Sequence, residues 1–444
     1  MKLWDKGIHT DKKIESFTIG KDRELDLYLA PFDVMGTMAH TSMLAEAGLL
    51  TQSELETLLP ELKKLYQKAR QGQFEIEEGV EDVHSQVEME LTRQLGDTGK
   101  KVHSGRSRND QVLLDLKLFA REKIMEVVHT SQSLFETLQQ KSEAHKDDLL
   151  PGYTHLQVAM PSSFGLWFGA YAESLVDDMQ LMLSAWRITN QNPLGAAAGY
   201  GNSFPLDRKM TTRLLGFDDL SYNVVYAQMG RGKMERSVGM ALSSVASTLS
   251  KMAMDACMYM SQNFGFISLP DNFTTGSSIM PHKKNPDVFE LLRARCNHLT
   301  DIPGQIAMIT GNLPSGYFRD LQVIKEIFLP AFDELLSCLD LMKLAVEHME
   351  IRQDIMKDEM YKYAFSVEEV NRLVLQGVPF REAYRQVGQQ IEAGKFSPET
   401  SDIRHTHEGS MGNLCNREIK EKMDATVREF TFERVNEAVK KLTE

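Results

Sequence analysis

Apolar residues recur at steps of four and three along several long stretches of this chain. Val238, Leu242, Val245, Leu249, Met252, Ala256 and Tyr259 form one such run, a narrow stripe that stays on one side of a helix for several turns. Leu321, Ile324, Phe328, Phe332, Leu335, Leu339, Met342, Val346 and Met349 form a second. Pro330 falls inside it and predicts a bend or a break, because proline lacks the helical donor and crowds the preceding turn. Residues 107–143 and 162–189 read as further long helices, with Phe164, Phe168, Tyr171, Leu175 and Met182 along one side of the latter. At 1.5 Å per residue these helices run roughly 30–45 Å and predict an elongated bundle. Strand-like alternation is rare and short, so the predicted fold class is mainly α. A single chain offers few other elements to cover such stripes, which predicts self-association into a shared bundle.

The stripes begin after Gly105 and end near Arg352, and 444 residues exceed what one core usually organises. Three segments follow. Residues 1–105 form a mostly helical N-terminal domain interrupted by turn-rich pieces such as Gln71-Gly72-Gln73. Residues 106–355 form the central long-helix bundle, and 356–444 a small C-terminal helical domain. Within the last, residues 367–376 and 379–393 read as two short helices joined at Gly377.

Charge and cysteine usage narrow the function classes. A net charge of −13 argues against nucleic acid or an anionic membrane as partner, so a site for an anion must concentrate positive charge locally. The four cysteines (Cys257, Cys296, Cys338, Cys415) lack paired spacing and predict neither a disulfide framework nor a metal site. The Met1–Lys6 stretch has no apolar signal core, and no apolar run approaches the roughly 20 residues that span a bilayer. A cytoplasmic protein is expected.

Three segments carry chemistry. Residues 276–286, Gly-Ser-Ser-Ile-Met-Pro-His-Lys-Lys-Asn-Pro, cannot form a regular helix, yet they concentrate two hydroxyls, two ammonium groups and an amide. Such a loop suits closure over a substrate, although a polar surface connection has the same composition. His155 lies in Gly152–Gln157 between Pro151 and the helix near 162, where taken alone a histidine is more often a capped or surface residue than a catalytic one. In His103–Gln111, Gly105 breaks the chain, and Ser107 and Asp110 have capping-box-like spacing at a helix start. Arg106 and Arg108 beside free helix amides make a carboxylate receptor, with a plain basic cap as the alternative.

The pattern G-S-S-x-M-P-x-K-x-N-P resembles the third signature of the fumarase/aspartase superfamily of lyases, and Gly152–Gln157 resembles the second. G-R-S-R-N-D-Q at 105–111 is similar to the argininosuccinate lyase family within it, as are Glu81-Asp82-Val83-His84, Pro193-Leu194-Gly195, Tyr317 through Lys325, and Val367–Gly388. The resemblance implies a three-domain superfamily fold and reversible elimination of L-argininosuccinate to L-arginine and fumarate, an arginine-biosynthetic reaction. It implies no metal and no organic cofactor, and a homotetramer whose active sites are shared between subunits. By the same resemblance Ser277 is the general base, and Lys283 and Asn285 face the developing carboxylate charge. His155, oriented by Glu290, delivers or relays a proton. His84, Arg106, Ser107, Arg108, Asn109, Thr154, Tyr317, Gln322 and Lys325 hold the substrate, and Thr18 is the nearest hydroxyl to an early substrate-binding serine of the family.

Some positions depart from the family. Phe318-Arg319 and Val323-Ile324 replace Asn-Lys and Glu-Asp, Trp4–Gly7 replaces Trp-Gly-Gly-Arg-Phe, and His282 stands where glutamine is common. Two other readings stay open. Elimination from adenylosuccinate or aspartate is one, opposed by Gly105–Gln111. A non-catalytic homologue like the crystallins recruited from this family is the other, opposed by the presence of Ser277, His155, Lys283, Asn285 and Glu290.

Overall fold

In a computed structural model, residues 11–276, 278–399, 403 and 405–444 are described. Four long helices, Arg108–Ala144, Phe164–Thr189, Lys233–Met260 and Ile324–His348, pack against one another as the bundle that the periodicity predicts. Asp287–Leu299 lies on the last two, and Asp22–Glu46 packs along Arg108–Ala144. Among the described residues, strands occur only as two-stranded pairs. The largest joins Leu149–Thr154 to Gln157–Ser163 in antiparallel register.

The stripes account for the packing. Val238, Leu242, Val245, Leu249, Met252 and Ala256 are all buried, as is every member of the second run from Leu321 to Met349. Each large apolar side chain buried in this way contributes about 1.5–3 kcal/mol relative to leaving it in water. The chain's own elements cover both stripes, so the stripes do not require a partner, contrary to the expectation from sequence. The unanticipated cover comes from Asp22–Glu46 and Asp287–Leu299, two helices whose place against the bundle no local pattern reveals. Pro330 does not end its helix, which runs unbroken over Ile324–His348. It sits on the exposed side, where water can satisfy the carbonyl that proline leaves unpaired.

One apolar cluster extends from Leu25 to Leu442. A separate small one, Val370, Ala383, Val387 and Phe396, joins the helices Ser366–Leu375 and Phe380–Glu392. The last two helices, Asn416–Val427 and Phe432–Thr443, return to the main cluster through Ile419, Met423, Val435 and Leu442.

Candidate active site

The capping box predicted at the start of the longest helix is present. Ser107 N donates to Asp110 Oδ1 (2.8 Å), and Ser107 Oγ accepts from Asn109 N (3.2 Å). Asp110 Oδ2 accepts from Gly195 N (3.1 Å) and Ala197 N (3.0 Å), pinning the Pro193–Gly195 loop to the helix start. Burial pushes the Asp110 carboxyl up to about 6. This cap turns Arg108 and Asn109, in the first helical turn, toward a cleft of about 220 Å³.

Six of the sequence-predicted residues line that cleft: His84, Arg108, Asn109, Tyr317, Gln322 and Lys325. Thr18 meets it at the edge, where its carbonyl accepts from Gln322 Nε2 (3.0 Å) and Arg319 Nη2 (2.9 Å). Arg106 turns elsewhere, donating to Thr37 Oγ1 (2.9 Å) and the Val102 carbonyl (2.8 Å), and Ser107 spends its hydroxyl on the cap.

The cleft also contains residues that were not expected to hold substrate: Asp22, Asp26, Asp82, Arg231 and Arg319, with Glu81. A signal for the first two exists in the sequence. Asp22, Asp26 and Asp33 follow one another at steps of four and seven, on one face of the helix Asp22–Glu46. Acids on a buried helical face require partners. Lys325 supplies one, its Nζ lying 2.5 Å from Asp22 Oδ1 and 2.8 Å from Asp26 Oδ1. Burial raises Asp22 to about 6 against the opposing pull of Lys325. For Lys325, burial pushes the ammonium pKa down, but Asp26 and Asp22 outweigh it and hold the charge above its ordinary range.

Arg108 is likewise engaged, reaching Glu81 Oε2, Asp82 Oδ2 and Ser85 Oγ, each at 3.0 Å. Arg319 bridges Glu81 Oε1 (3.0 Å) and Gln322 Oε1 (3.1 Å). By contrast, no hydrogen bond of the Tyr317 hydroxyl or the Asn109 side-chain amide occurs among the described residues. The cleft thus presents fixed charges of both signs and two uncommitted polar groups. That arrangement suits a zwitterionic head, with an ammonium beside the acids and a carboxylate beside the cations.

Thr154 and His155 stand elsewhere. His155 and Leu156 form the two-residue turn of the Leu149–Ser163 hairpin, with φ of 54° and 57°, and both are exposed. A turn with two non-glycine residues in the left-handed region carries a cost of about 1–2 kcal/mol per residue. Strain of this kind concentrates at functional sites. Ser277 lies outside the described residues. The flanking Thr275–Gly276 and Lys284–Asn285 pair antiparallel. Lys283 and Glu290 are exposed, Asn285 is half-buried, and none of the three lines the cleft.

Among the described residues, Asp33, His84 and Asp115 are the one acid–histidine group compact enough to share a cation, their ligand atoms lying within 4.8 Å. His84 Nδ1 is 2.6 Å from Asp33 Oδ1. Burial alone would lower its pKa, but Asp33 and Asp115 raise it to about 9.

Comparison with known proteins places this arrangement. A family model described as a lyase matches residues 3–300. The argininosuccinate lyase of Parabacteroides distasonis is 66% identical over 441 residues, covering 99% of both chains. That of Bacteroides fragilis is 63% identical over 441 residues, covering 99% of this chain and 98% of its own. A crystal structure of EDDS lyase in complex with formate shares the fold with a TM-score of 0.79 at 22% identity, covering 98% of this chain and 94% of its own.

Proposed function

This chain belongs to the argininosuccinate lyase family, and from that premise we propose that it cleaves L-argininosuccinate reversibly into L-arginine and fumarate. The observation that carries the reading is the convergence of Arg108 and Asn109, from the family-like 105–111 segment, with Tyr317, Gln322 and Lys325 in one cleft. The cleft holds the amino-acid end. Its acids meet the ammonium, and Tyr317 and Asn109 supply free hydrogen-bonding groups. Arginine biosynthesis follows from that product.

The difficult step is removal of a proton from carbon beside a carboxylate, which leaves a dianionic aci-carboxylate. Ser277 removes the proton, activated by the Lys283 ammonium and by exclusion of water as the loop closes. Lys283 and Asn285 then meet the developing charge with donors already in place. The carbon–nitrogen bond breaks, the electron pair goes to the guanidinium nitrogen, and a proton arrives there from His155, with Glu290 fixing the ring. Electron sink and leaving group both belong to the substrate, so this chemistry calls on no metal or organic cofactor.

Within one chain, Thr154, His155, Lys283, Asn285 and Glu290 do not line the cleft that holds the other binding residues. This supports a homotetramer in which neighbouring subunits complete each site. Leu181, Met240 and Met254, exposed on two of the long helices, and Leu291 on Asp287–Leu299 offer apolar surface for that contact. No helix among the described residues is long and apolar enough to cross a membrane, which accords with a cytoplasmic enzyme.

The test is fumarate absorbance with purified protein offered argininosuccinate, adenylosuccinate and aspartate in turn. Fumarate release from argininosuccinate alone is expected; no release from it, with or without release from the others, overturns the reading.

A further inference from the structure

A second concavity of about 250 Å³ adjoins the cleft and shares the wall residue Arg231 with it. Its chemistry differs. The cleft mixes acids and bases, whereas the second concavity has Arg231, Lys233 and Arg236 and no carboxylate among its described lining residues. Thr310 and Ser315 also line it, the Thr310 hydroxyl donating to the Ile306 carbonyl (2.9 Å). Three cations gathered without acids are conspicuous in a chain whose net charge is −13.

Among the described residues Glu235 is the one carboxylate that pairs with any of the three, and it pairs with Arg231. Among the described residues, neither Lys233 nor Arg236 forms an ion pair; the Lys233 ammonium lies 5.9 Å over the Tyr226 ring. Arg231 is only 6% exposed. Its Nε lies 3.3 Å from Glu235 Oε1 but makes no hydrogen bond, and both atoms are buried without a hydrogen-bond partner. The other Glu235 oxygen is already committed, accepting from Gly232 N at 2.6 Å. Arg231 Nη2 donates to the Leu321 carbonyl (3.1 Å), which fixes the guanidinium at the wall of a concavity that two further cations border. The Lys233–Met260 helix starts at this wall and adds the positive end of its dipole. Gly232 lets it approach so closely: its φ is +80°, and a Cβ there would lie 2.5 Å from Thr310 Cγ2.

We propose that this concavity is a binding site for a small oxyanion, a carboxylate or a phosphate, separate from the pocket for the amino-acid end. Arg236 presents forked N–H groups, Lys233 a mobile ammonium, Arg231 a fixed positive charge at the wall and Ser315 a hydroxyl, the set that recognises a planar or tetrahedral oxyanion. The proposal does not depend on which substrate fills the cleft.

Calorimetric titration of the full-length protein with inorganic phosphate, and separately with malonate, tests it. Each titration is run with and without saturating arginine, and repeated on a Lys233→Met/Arg236→Met variant whose thermal midpoint is checked first. Both altered side chains are exposed, so the variant keeps the fold. The expected result is one anion bound per chain, retained in the presence of arginine and weakened at least about tenfold in the variant. Preference for phosphate over malonate, or the reverse, identifies which oxyanion the site takes. Affinity that is unchanged in the variant, anion binding abolished by arginine, or no binding of either anion overturns the proposal.

Discussion

His84 donates to Asp33 across 2.6 Å between two helices, and both side chains are buried. Asp115 closes the group from a third helix, with its Oδ2 3.6 Å from His84 Nδ1. The group holds a proton that the unfolded chain would release. His84 is raised from 6.5 to about 9 by its acids, against burial, and Asp115 is raised well above its ordinary value by burial and by Asp33. For a histidine whose folded pKa is raised, the stabilisation is complete below about pH 6.5 and is lost as pH climbs through about 9. The Asp115 shift acts in the same direction. We expect unfolding free energy from urea titration to fall by on the order of 1–3 kcal/mol between pH 7 and 9.5. His84→Gln should flatten that slope. A wild-type stability that rises over this interval would contradict the assignment.

Lys325 is the counter-charge for two carboxylates, Asp22 and Asp26, one helical turn apart. Lys325→Met keeps the volume of the stem but leaves the acids facing each other, and a buried pair broken in this way costs about 3–5 kcal/mol. Because Asp22 already titrates near 6, it can discharge itself in mild acid. The variant should therefore lose more stability at pH 8 than at pH 5.5, and adding Asp26→Asn should recover part of the loss. Equal losses at both pH values would show that packing, not charge, dominates.

A site assembled from neighbouring subunits predicts complementation. Ser277→Ala and His155→Asn should each reduce turnover at least about 10²-fold with little change in unfolding midpoint. Unfolded together and refolded, the two should regain activity, since mixed tetramers contain some sites with both residues intact. Mixed tetramers confirmed by light scattering yet as inactive as either parent would rule out sharing. If Ser278→Ala proved inactive and Ser277→Ala active, the choice of base would be wrong.

Local features were legible in the sequence because they repeat at the period of the element they build. The stripe from Val238 to Ala256, the cap of Ser107 with Asp110, and the short helices meeting at Gly377 all follow from side-chain spacing within a few turns. Sequence resemblance likewise brought forward His84, Arg108, Asn109, Tyr317, Gln322 and Lys325, and these six line one cleft. What spacing could not convey was adjacency between distant segments. Lys325 meets Asp26 across 299 positions, and Arg319 reaches Glu81 across 238. Arg106 and Arg108 look equivalent in the sequence, yet one turns to Thr37 and Val102 and the other lines the cleft, because Arg106 precedes the cap at Ser107 and Arg108 opens the helix behind it. The covering of both apolar stripes within a single chain was also decided by packing, since a stripe fixes which face is buried but not what buries it.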